Sequence, residues 1–562
     1  MVILTALALP LGVRAEAPVS PQATIAALER ADQPLLEGTA LLSSRLLSEL
    51  YAARDDQLLW GAATRRAALL ELAERSVESG FDPNDFRADT LRILADSDHW
   101  ATLAPSERVR ADLVLSDALL RYVHHHRYGK VDPVRLDRAW HDRPRPDSEV
   151  LRADLDAALD ARDLTRVFEG RFPAPFWYED LKSALRTERV RETMRERPPV
   201  PAGPHLARGD QGPRVAMVRE RLALLAGQSA EAAPAGEVFD DALHAAVIAF
   251  QQGSGLVADG VVGPATLAVL NKSTDPDRMD RIRINLERMR WLYQGLPPDY
   301  VFVDVAGLMV HLARSDEFVW STRAIIGTVE TQTPMFRDNM DHLVFNPTWI
   351  VPQSIQRSKT RVASDFQVVD RRTGQPAAGG DHRDVNRYRL VQRPGPNNAL
   401  GRVKFMFPNR HAIYLHDTPS RALFARQRRT LSNGCVRVEN PLEFAERILD
   451  RPAWDLAGIK QVIERGRTRY VELSESLPVL LYYLTAFADA QGIVQFRQDH
   501  YERDARLRAA FFAPVGPARI AFPAPREPAE PAAPADTGAS TQATGVRSAT
   551  DGAVQAVLDP RE

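Results

Sequence analysis

Cysteine is almost absent from this chain, because Cys435 is the only one in 562 residues. A single cysteine excludes a disulfide within the chain, so no disulfide framework holds the domains together. The sequence also contains no HExxH or CxxC pattern, the usual signs of a zinc site. We therefore expect neither a metal nor an organic cofactor, and the lone thiol becomes the group to explain.

Excess charge and long apolar segments are lacking as well. The 72 Lys and Arg residues nearly balance the 74 Asp and Glu residues, which leaves a formal net charge of −2. The chain thus lacks the excess positive charge that indicates a nucleic-acid partner. No window contains eighteen apolar residues, so we expect no transmembrane span. The length of 562 residues predicts three or more domains.

The N-terminal residues have the pattern of an export signal. Val2 to Val13 is apolar apart from Thr5, and Ala15 to Ala17 fits a small-x-small cleavage site. No basic residue precedes the apolar run, and an ordinary N-terminal helix is the alternative interpretation. We expect a signal peptide at 1–17 and an exported protein.

Two helical regions follow. Residues 22–197 are rich in Ala, Leu, Arg and Asp with helical periodicity, which predicts a helical scaffold domain. After a proline-rich break, residues 205–272 contain three amphipathic helices, at Arg214–Leu225, Asp240–Gln252 and Pro264–Leu270. The glycines between the second and third helix, together with Asp259 and Thr266, indicate a tight turn and its caps.

The pattern changes to strands at 298–472. Tyr300–Val305, Leu308–Leu312 and Thr322–Gly327 are β-branched and alternating, whereas 354–398 is a long polar connection dotted with Gly and Pro. Apolar residues at helical spacing predict a helix over 477–513 that packs on the scaffold. The segment 514–562 is rich in Pro and Ala, which predicts a disordered tail. The fold class is therefore α+β with several domains.

Cys435 lies in a segment whose alternation suits a nucleophile. Ala412 to His416 alternates, so His416 ends a half-buried strand, and Cys435 shares a face with Arg437 in a second alternating run. Gly434 allows close approach of the backbone to the sulfur. A thiol with an ordinary pKa of about 8.5 needs a base or a positive neighbour. His416 supplies that base if the two strands lie side by side.

Several roles around the thiol stay open. Cys435 could instead be a buried structural cysteine. Arg437 either grips a substrate carboxylate or ties loops together, and Tyr414 either positions substrate or fills the core. The group that orients His416 is either Asp417, whose side chain should face away on a strand, or a backbone carbonyl.

The run Ser432-Asn433-Gly434-Cys435-Val436-Arg437, preceded by His416-Asp417-Thr418, resembles the signature of the L,D-transpeptidase catalytic domain. The family usually carries a histidine next to this glycine, so the chain resembles a Ser-x-Gly-Cys subgroup of large periplasmic members with a helical scaffold. The stretches 50–60, 117–131 and 345–352 resemble the same proteins. The 205–272 pattern is similar to a peptidoglycan-binding domain.

The resemblance implies a cysteine acyltransferase of the periplasm. The expected substrates are peptidoglycan stem peptides and glycan strands, and the partners are other wall-synthesis enzymes. The resemblance also implies a capping lid at 354–398 and acylation by carbapenems. The expected catalytic residues are Cys435, His416 and Gly434, with backbone N–H groups as oxyanion donors. The expected substrate contacts are Arg437, Tyr414, Trp349, Ser432 and Asn433. A Cys/His hydrolase and a non-catalytic wall-binding scaffold are the rival functions.

Overall fold

The computed structural model describes residues 20–514 except 31–34, 37–38, 143–144, 173–174, 194–196, 227–235, 255, 272–275, 293–294 and 489–492. The expected signal peptide and, from 515 onward, the expected tail lie outside these residues. The chain forms two compact units. The first takes its described residues from Met1–Lys130, Arg145–Pro173 and Phe511–Pro525, and the second from Val131–Pro144 and Ala174–Ala510.

The N-terminal region is helical, as predicted. Its described elements are α1 (Pro21–Arg30), β1 (Leu35–Leu36), β2 (Thr39–Ala40), α2 (Ser44–Ala52), α3 (Ala63–Arg75), α4 (Ala88–Ala95), α5 (Ser97–Thr102), α6 (Pro105–Tyr128), α7 (Pro133–Leu136), α8 (Ser148–Asp160) and α9 (Phe176–Thr193). α7 and α9 belong to the second unit. In the part of the chain that the structure describes, no helix combines the length and the hydropathy that crossing a membrane requires.

A buried polar network holds the first unit around α6. The carboxylate of Asp112 accepts hydrogen bonds from the Tyr51 hydroxyl at 2.6 Å and the Trp60 backbone N–H at 2.9 Å. The indole N–H of Trp60 donates to Ser116 Oγ at 2.9 Å. Buried polar groups are stable only when they are paired in this way. Tyr51 and Trp60 of the 50–60 stretch therefore serve the scaffold's own packing.

The peptidoglycan-binding-like region contains three helices, α10 (Pro213–Leu225), α11 (Asp241–Gly253) and α12 (Pro264–Leu270), which confirms the predicted set. Their inward faces form one apolar core that includes Val215, Phe239 and Val247. A further helix, α13 (Pro276–Arg290), leads to the strands.

Gln251 organises the turn between α11 and α12. Its amide nitrogen donates to Asp259 Oδ1 at 2.9 Å, to the Val261 carbonyl at 3.0 Å and to Thr266 Oγ1 at 3.2 Å. Its amide oxygen accepts from the Gly260 N–H at 2.9 Å. Gly260 has a φ of 72°, which favours glycine. These motif residues bind one another, as expected for turn and cap positions.

The remaining elements form the β-rich catalytic-type domain and its extensions. They are β3 (Tyr300–Asp304), β4 (Met309–Arg314), β5 (Glu317–Gly327), β6 (Phe336–Phe345), β7 (Trp349–Ile350), α14 (Gln353–Ser358), β8 (Phe366–Asp370), β9 (Tyr388–Gln392), β10 (Val403–Met406), β11 (Leu415–His416), β12 (Thr430–Ser432), β13 (Val436–Val438), α15 (Pro441–Leu449), α16 (Leu456–Glu464), β14 (Arg469–Tyr482), β15 (Ala486–Ala488), β16 (Val494–Phe496) and α17 (Asp504–Phe511).

Nine strands make one sheet in the order β12-β5-β13-β11-β10-β6-β14-β3-β4, and β5 also pairs with β4. The long strand β5 therefore connects the first strands of this order to its last strand, β4, and closes the sheet. Most pairs are antiparallel, but β11 runs parallel to β13. The connection predicted as a loop at 354–398 is not structureless, because β8 and β9 join β7 in a separate three-stranded sheet.

The predicted helix over 477–513 is wrong. Residues up to Tyr482 continue strand β14 and two short strands follow, and among the described residues of this segment only Asp504–Phe511 is helical. β14 pairs with β3 on one side and β6 on the other, and 479–484 are all buried. A strand covered on both faces is apolar throughout, so its leucines matched a helical spacing by chance.

We predict that Gln251→Ala opens the small domain locally. The change leaves the Gly260 N–H and three acceptors without their partner, at a cost of about 2–3 kcal/mol. Hydrogen exchange of the amides in α11 and α12 should therefore speed up. Gln252→Ala, the same change at the exposed neighbouring position, is the control and should leave exchange unchanged. Equal exchange in both variants would contradict the structural role of Gln251.

Candidate active site

Three neighbouring strands place the candidate residues on one face of the sheet. His416 on β11 is the register partner of Lys404 on β10 and of Arg437 on β13. The carbonyl of Tyr414 accepts from the Val436 N–H at 3.2 Å, which sets Tyr414 beside the residue before Val436. Register partners and positions i, i+2 share a face of a sheet. The predicted sharing of one face is confirmed, but the predicted strand at 412–416 is shorter, because only Leu415–His416 is a strand and Ala412 has a left-handed φ of 54°.

Cys435 and His416 are therefore diagonal neighbours on adjacent parallel strands. Strand spacing and rise put such Cα atoms about 8 Å apart, with both side chains on the same side. The opposite face is apolar, since Leu415, Val436 and Val438 are fully buried. Cys435 is half-buried, and its sulfur lies 3.7 Å from the Ala412 carbonyl oxygen. The thiol is thus at a surface lined by polar groups and not in the apolar core.

The turn before Cys435 is held by its own side chains. Ser432 Oγ donates to the Cys435 carbonyl at 2.6 Å and accepts from the Gly434 N–H at 3.1 Å. Gly434 has a φ of 109°, a left-handed value that favours glycine. Ser432 is buried within the turn, whereas Asn433 is exposed. The hydroxyl of Ser432 and the N–H of Gly434 are therefore already engaged with each other.

Burial raises the pKa of the Cys435 thiol above its usual value. Hydrogen bonds from the backbone N–H and the hydroxyl group of Tyr414, together with the charges of Lys404 and Arg437, act in the opposite direction. The desolvation penalty on the thiolate is the largest effect, so the resting thiol keeps its proton at neutral pH.

His416 is buried and oriented by a backbone group. Its Nδ1–H donates to the Asp417 carbonyl at 2.5 Å, which leaves the Nε2 lone pair as the basic position. The Asp417 carboxylate faces elsewhere, because it accepts from the Arg402 N–H at 2.8 Å and the Thr418 N–H at 2.7 Å and pairs with Arg421. Of the two orienting groups left open by the sequence, the structure brings the carbonyl to the ring.

The imidazole of His416 is neutral at physiological pH. Burial lowers its pKa to about 3, and the positive charges of Arg437 and Lys404 add to the effect. A neutral imidazole accepts a proton, so the arrangement suits a general base. The site therefore contains a neutral thiol and a neutral base, with the cations Lys404 and Arg437 beside them.

The other predicted contacts divide into two groups. Arg437 is half-buried next to His416, and its Nε is buried without a hydrogen-bond partner among the described residues. Trp349 instead begins β7 in the small sheet, where its ring packs edge-on against Phe366 at 6.3 Å between centroids. The structure thus brings Arg437 and Tyr414 to the thiol, and it records no contact of Trp349 with that group.

Sequence reasoning missed two parts of the site. The first is Lys404, whose ammonium lies 3.8 Å from the ring centroid of Tyr414. The alternation of Val403, Lys404 and Phe405 indicates a strand with Lys404 on the polar face. It does not indicate which side chain of the neighbouring strand Lys404 contacts.

The second is a brace behind the cysteine turn. Thr333 Oγ1 donates to the Gly434 carbonyl at 2.7 Å and accepts from the Gly327 N–H at 3.0 Å. The buried Tyr501 hydroxyl accepts from the Thr333 N–H at 3.2 Å and donates to the Gly327 carbonyl at 2.8 Å. Tyr501 lies 66 positions after Cys435 in the sequence, and only the fold brings it to this loop.

Comparison with protein families agrees with this geometry. Residues 298–463, which contain every residue of the site face, match the model of the L,D-transpeptidase catalytic domain. Residues 298–463 are an L,D-transpeptidase catalytic domain by family. Residues 45–185 match the scaffold domain, and residues 211–270 match the model described as "Putative peptidoglycan binding domain". The resemblance inferred from the sequence is confirmed for all three regions.

Known proteins similar to this chain cover part of it. A Haemophilus influenzae protein described as "Putative L,D-transpeptidase" is 29% identical over 255 residues, which are 42% of this chain and 51% of that protein. The chain thus spans about half the length of this curated relative. The crystal structure of an L,D-transpeptidase from Xylanimonas cellulosilytica is 18% identical, covers 50% of this chain and 99% of its own, and has a TM-score of 0.15, too low to carry an argument.

We predict that Cys435 is a protonated thiol at rest. Its raised pKa and the low pKa of His416 exclude a thiolate–imidazolium pair between pH 5 and 7. Alkylation of Cys435 by iodoacetamide should therefore be slow throughout that range and rise only above it. A rate plateau between pH 5 and 7, the sign of an ion pair, would contradict the prediction.

We predict that Tyr501→Phe loosens the cysteine turn. The change leaves the Thr333 N–H and the Gly327 carbonyl unpaired in a buried place, which costs about 1–3 kcal/mol. The melting temperature should fall, and alkylation of Cys435 should become faster or less uniform as the turn gains freedom. Tyr470→Phe, which removes the same atom from an exposed ring, should change neither quantity. Identical melting curves for the Tyr501 variant and the wild type would exclude the brace.

Proposed function

We propose that this chain forms cross-links between peptidoglycan stem peptides by acyl transfer through Cys435. The observation that supports the proposal is the shared face of Cys435 and His416, with His416 held by its Nδ1–H so that Nε2 is the basic atom. A neutral thiol beside an oriented neutral imidazole can attack a carbonyl once the proton is transferred.

In the first step, the Cys435 sulfur attacks the amide carbonyl between the third residue of a tetrapeptide stem and its terminal D-alanine. His416 Nε2 takes the thiol proton as the C–S bond forms and later gives it to the leaving amine. D-alanine departs and a thioester remains. The backbone N–H of Cys435 is our candidate for binding the oxyanion, since the Gly434 N–H already donates to Ser432.

In the second step, the side-chain amine of a diaminopimelate residue on another stem attacks the thioester. His416 accepts a proton from that amine and returns it to sulfur as the thioester breaks. The product is a three-to-three cross-link, and the enzyme recovers its thiol. Water in place of the amine would give hydrolysis, so the outcome depends on which acceptor reaches the thioester.

Substrate contacts follow from the groups that remain available. Arg437 has a buried Nε without a partner among the described residues, which suits a carboxylate of the stem peptide. Tyr414 lies against the thiol and can align the attacked amide. Asn433 is exposed at the edge of the turn. Trp349 and the small sheet of 354–398 remain candidates for a cover over bound substrate.

The domain set supports a location of this chemistry outside the cytoplasm, where peptidoglycan lies. The region matched at 211–270 would hold the enzyme on glycan strands or stem peptides, and other wall-synthesis enzymes would supply the stems. We propose the periplasm as the compartment.

The first test of this function is Cys435→Ala. The variant should give no mass increase with a carbapenem and no muropeptide dimers, because the chain has no other thiol. Wild-type protein should gain the mass of one carbapenem and convert tetrapeptide muropeptides into dimers. Acylation of the Ala variant to the same extent would refute the nucleophile.

A second readout separates transfer from hydrolysis. The same wild-type digestion should yield free D-alanine together with dimers. Tripeptide monomers without dimers would instead identify a hydrolase with the same nucleophile. Wall binding without any acyl-enzyme would identify a non-catalytic scaffold.

A further inference from the structure

Lys404 occupies the middle of the row that carries the site. It is the register partner of His416 on one side and of Val344 on the other. The side chains of paired residues stand on one face, so the ammonium of Lys404 is directed to the same surface as the thiol. The two-step chemistry above does not require it.

The environment of Lys404 lacks the carboxylate that usually accompanies a half-buried lysine. Among the described residues, no hydrogen bond or ion pair of its ammonium is recorded, and the contact that holds it is the Tyr414 ring at 3.8 Å. Burial lowers the pKa of Lys404 to about 8, and interaction with Cys435 acts in the opposite direction. An ammonium left in this state is costly unless a negative charge arises nearby.

The titratable groups facing Lys404 show where that charge arises. They are Tyr414 and His416 on the β11 side, Cys435 and Arg437 on the β13 side, and His342 diagonally across on β6. Arg437 stays cationic, the histidines never become anions, and the pKa of Tyr414 is raised far above 10. Cys435 is the member of this set that becomes an anion when it loses its proton.

We propose that Lys404 is a positioning cation of the reaction, which holds its charge over the Tyr414 ring and stabilises the Cys435 thiolate as it forms. This inference rests on the function proposed above. The proton moves from sulfur to His416 Nε2, the sulfur electron pair forms the bond to the substrate carbonyl, and Lys404 keeps its own protons throughout. Lys404 acts through its field and Tyr414, without contact to the new bond.

The test exploits the single cysteine, because any thiol signal of the full-length chain reports Cys435 alone. Lys404→Met removes the charge and keeps most of the length of the side chain. Iodoacetamide alkylation of Cys435 at pH 7, below the Lys404 pKa of about 8, should be slower in this variant, because a nearby positive charge no longer favours the thiolate. Lys404→Arg should keep the alkylation rate at pH 7 near that of the wild type.

Carbapenem acylation gives a second readout. The rate should fall about 10²-fold in Lys404→Met, the low end for losing one preorganised charge or donor, and should largely recover in Lys404→Arg. Lys182→Met is the matched control, since that ammonium also lies over a tyrosine ring, Tyr178 at 5.8 Å, on α9. It should change neither the alkylation rate at pH 7 nor the acylation rate.

Each other outcome is decisive. An unchanged alkylation rate at pH 7 in folded Lys404→Met, or the same slowed rate in Lys404→Arg, overturns the proposal. If the Met variant fails to fold, Lys404→Gln, also uncharged, provides the same comparison. A wild-type Cys435 that is alkylated but never acylated by carbapenem or tetrapeptide refutes the proposed function instead, and the alkylation rates at pH 7 still test Lys404.

Discussion

The parallel pairing of β11 with β13 is the contact on which the site depends. This pairing places His416 opposite Arg437 and Tyr414 beside Cys435. The chain between the two strands leaves β11 and comes back beside it at β13. Parallel neighbours require such a crossover, and here the crossing segment also pairs with β5 through β12. A slip of one residue would turn the thiol or the imidazole to the apolar face.

The electrostatics of this face combine two opposing effects. Burial keeps both the thiol and the imidazole neutral, whereas Lys404 and Arg437 favour the thiolate. In the proposed reaction, the thiol is therefore a poor nucleophile at rest and is activated only while a proton acceptor and a carbonyl are in place. A protonated thiol is also less exposed to oxidation than a free thiolate.

The rigidity of the cysteine turn comes from residues far away in the sequence. Ser432 closes the turn locally, but Thr333 and Tyr501 fix its carbonyl and the neighbouring loop. Tyr501 belongs to the segment that the sequence suggested was helical. The true structure of that segment therefore matters for the site, since the chain after β14 returns to support the catalytic-type domain.

Local pattern by itself determined much of this protein. The alternation around His416 and Cys435, the Asp417 carboxylate turned away from the ring, and the three helices of the small domain all follow from the direction of successive side chains. The tertiary structure decided which side chains of neighbouring strands contact each other and which backbone group orients His416. It decided the strand character of 477–482, the presence of Lys404 beside the thiol and the brace from Tyr501. These features depend on register and on contacts between residues distant in the chain, and a local pattern contains no information about either.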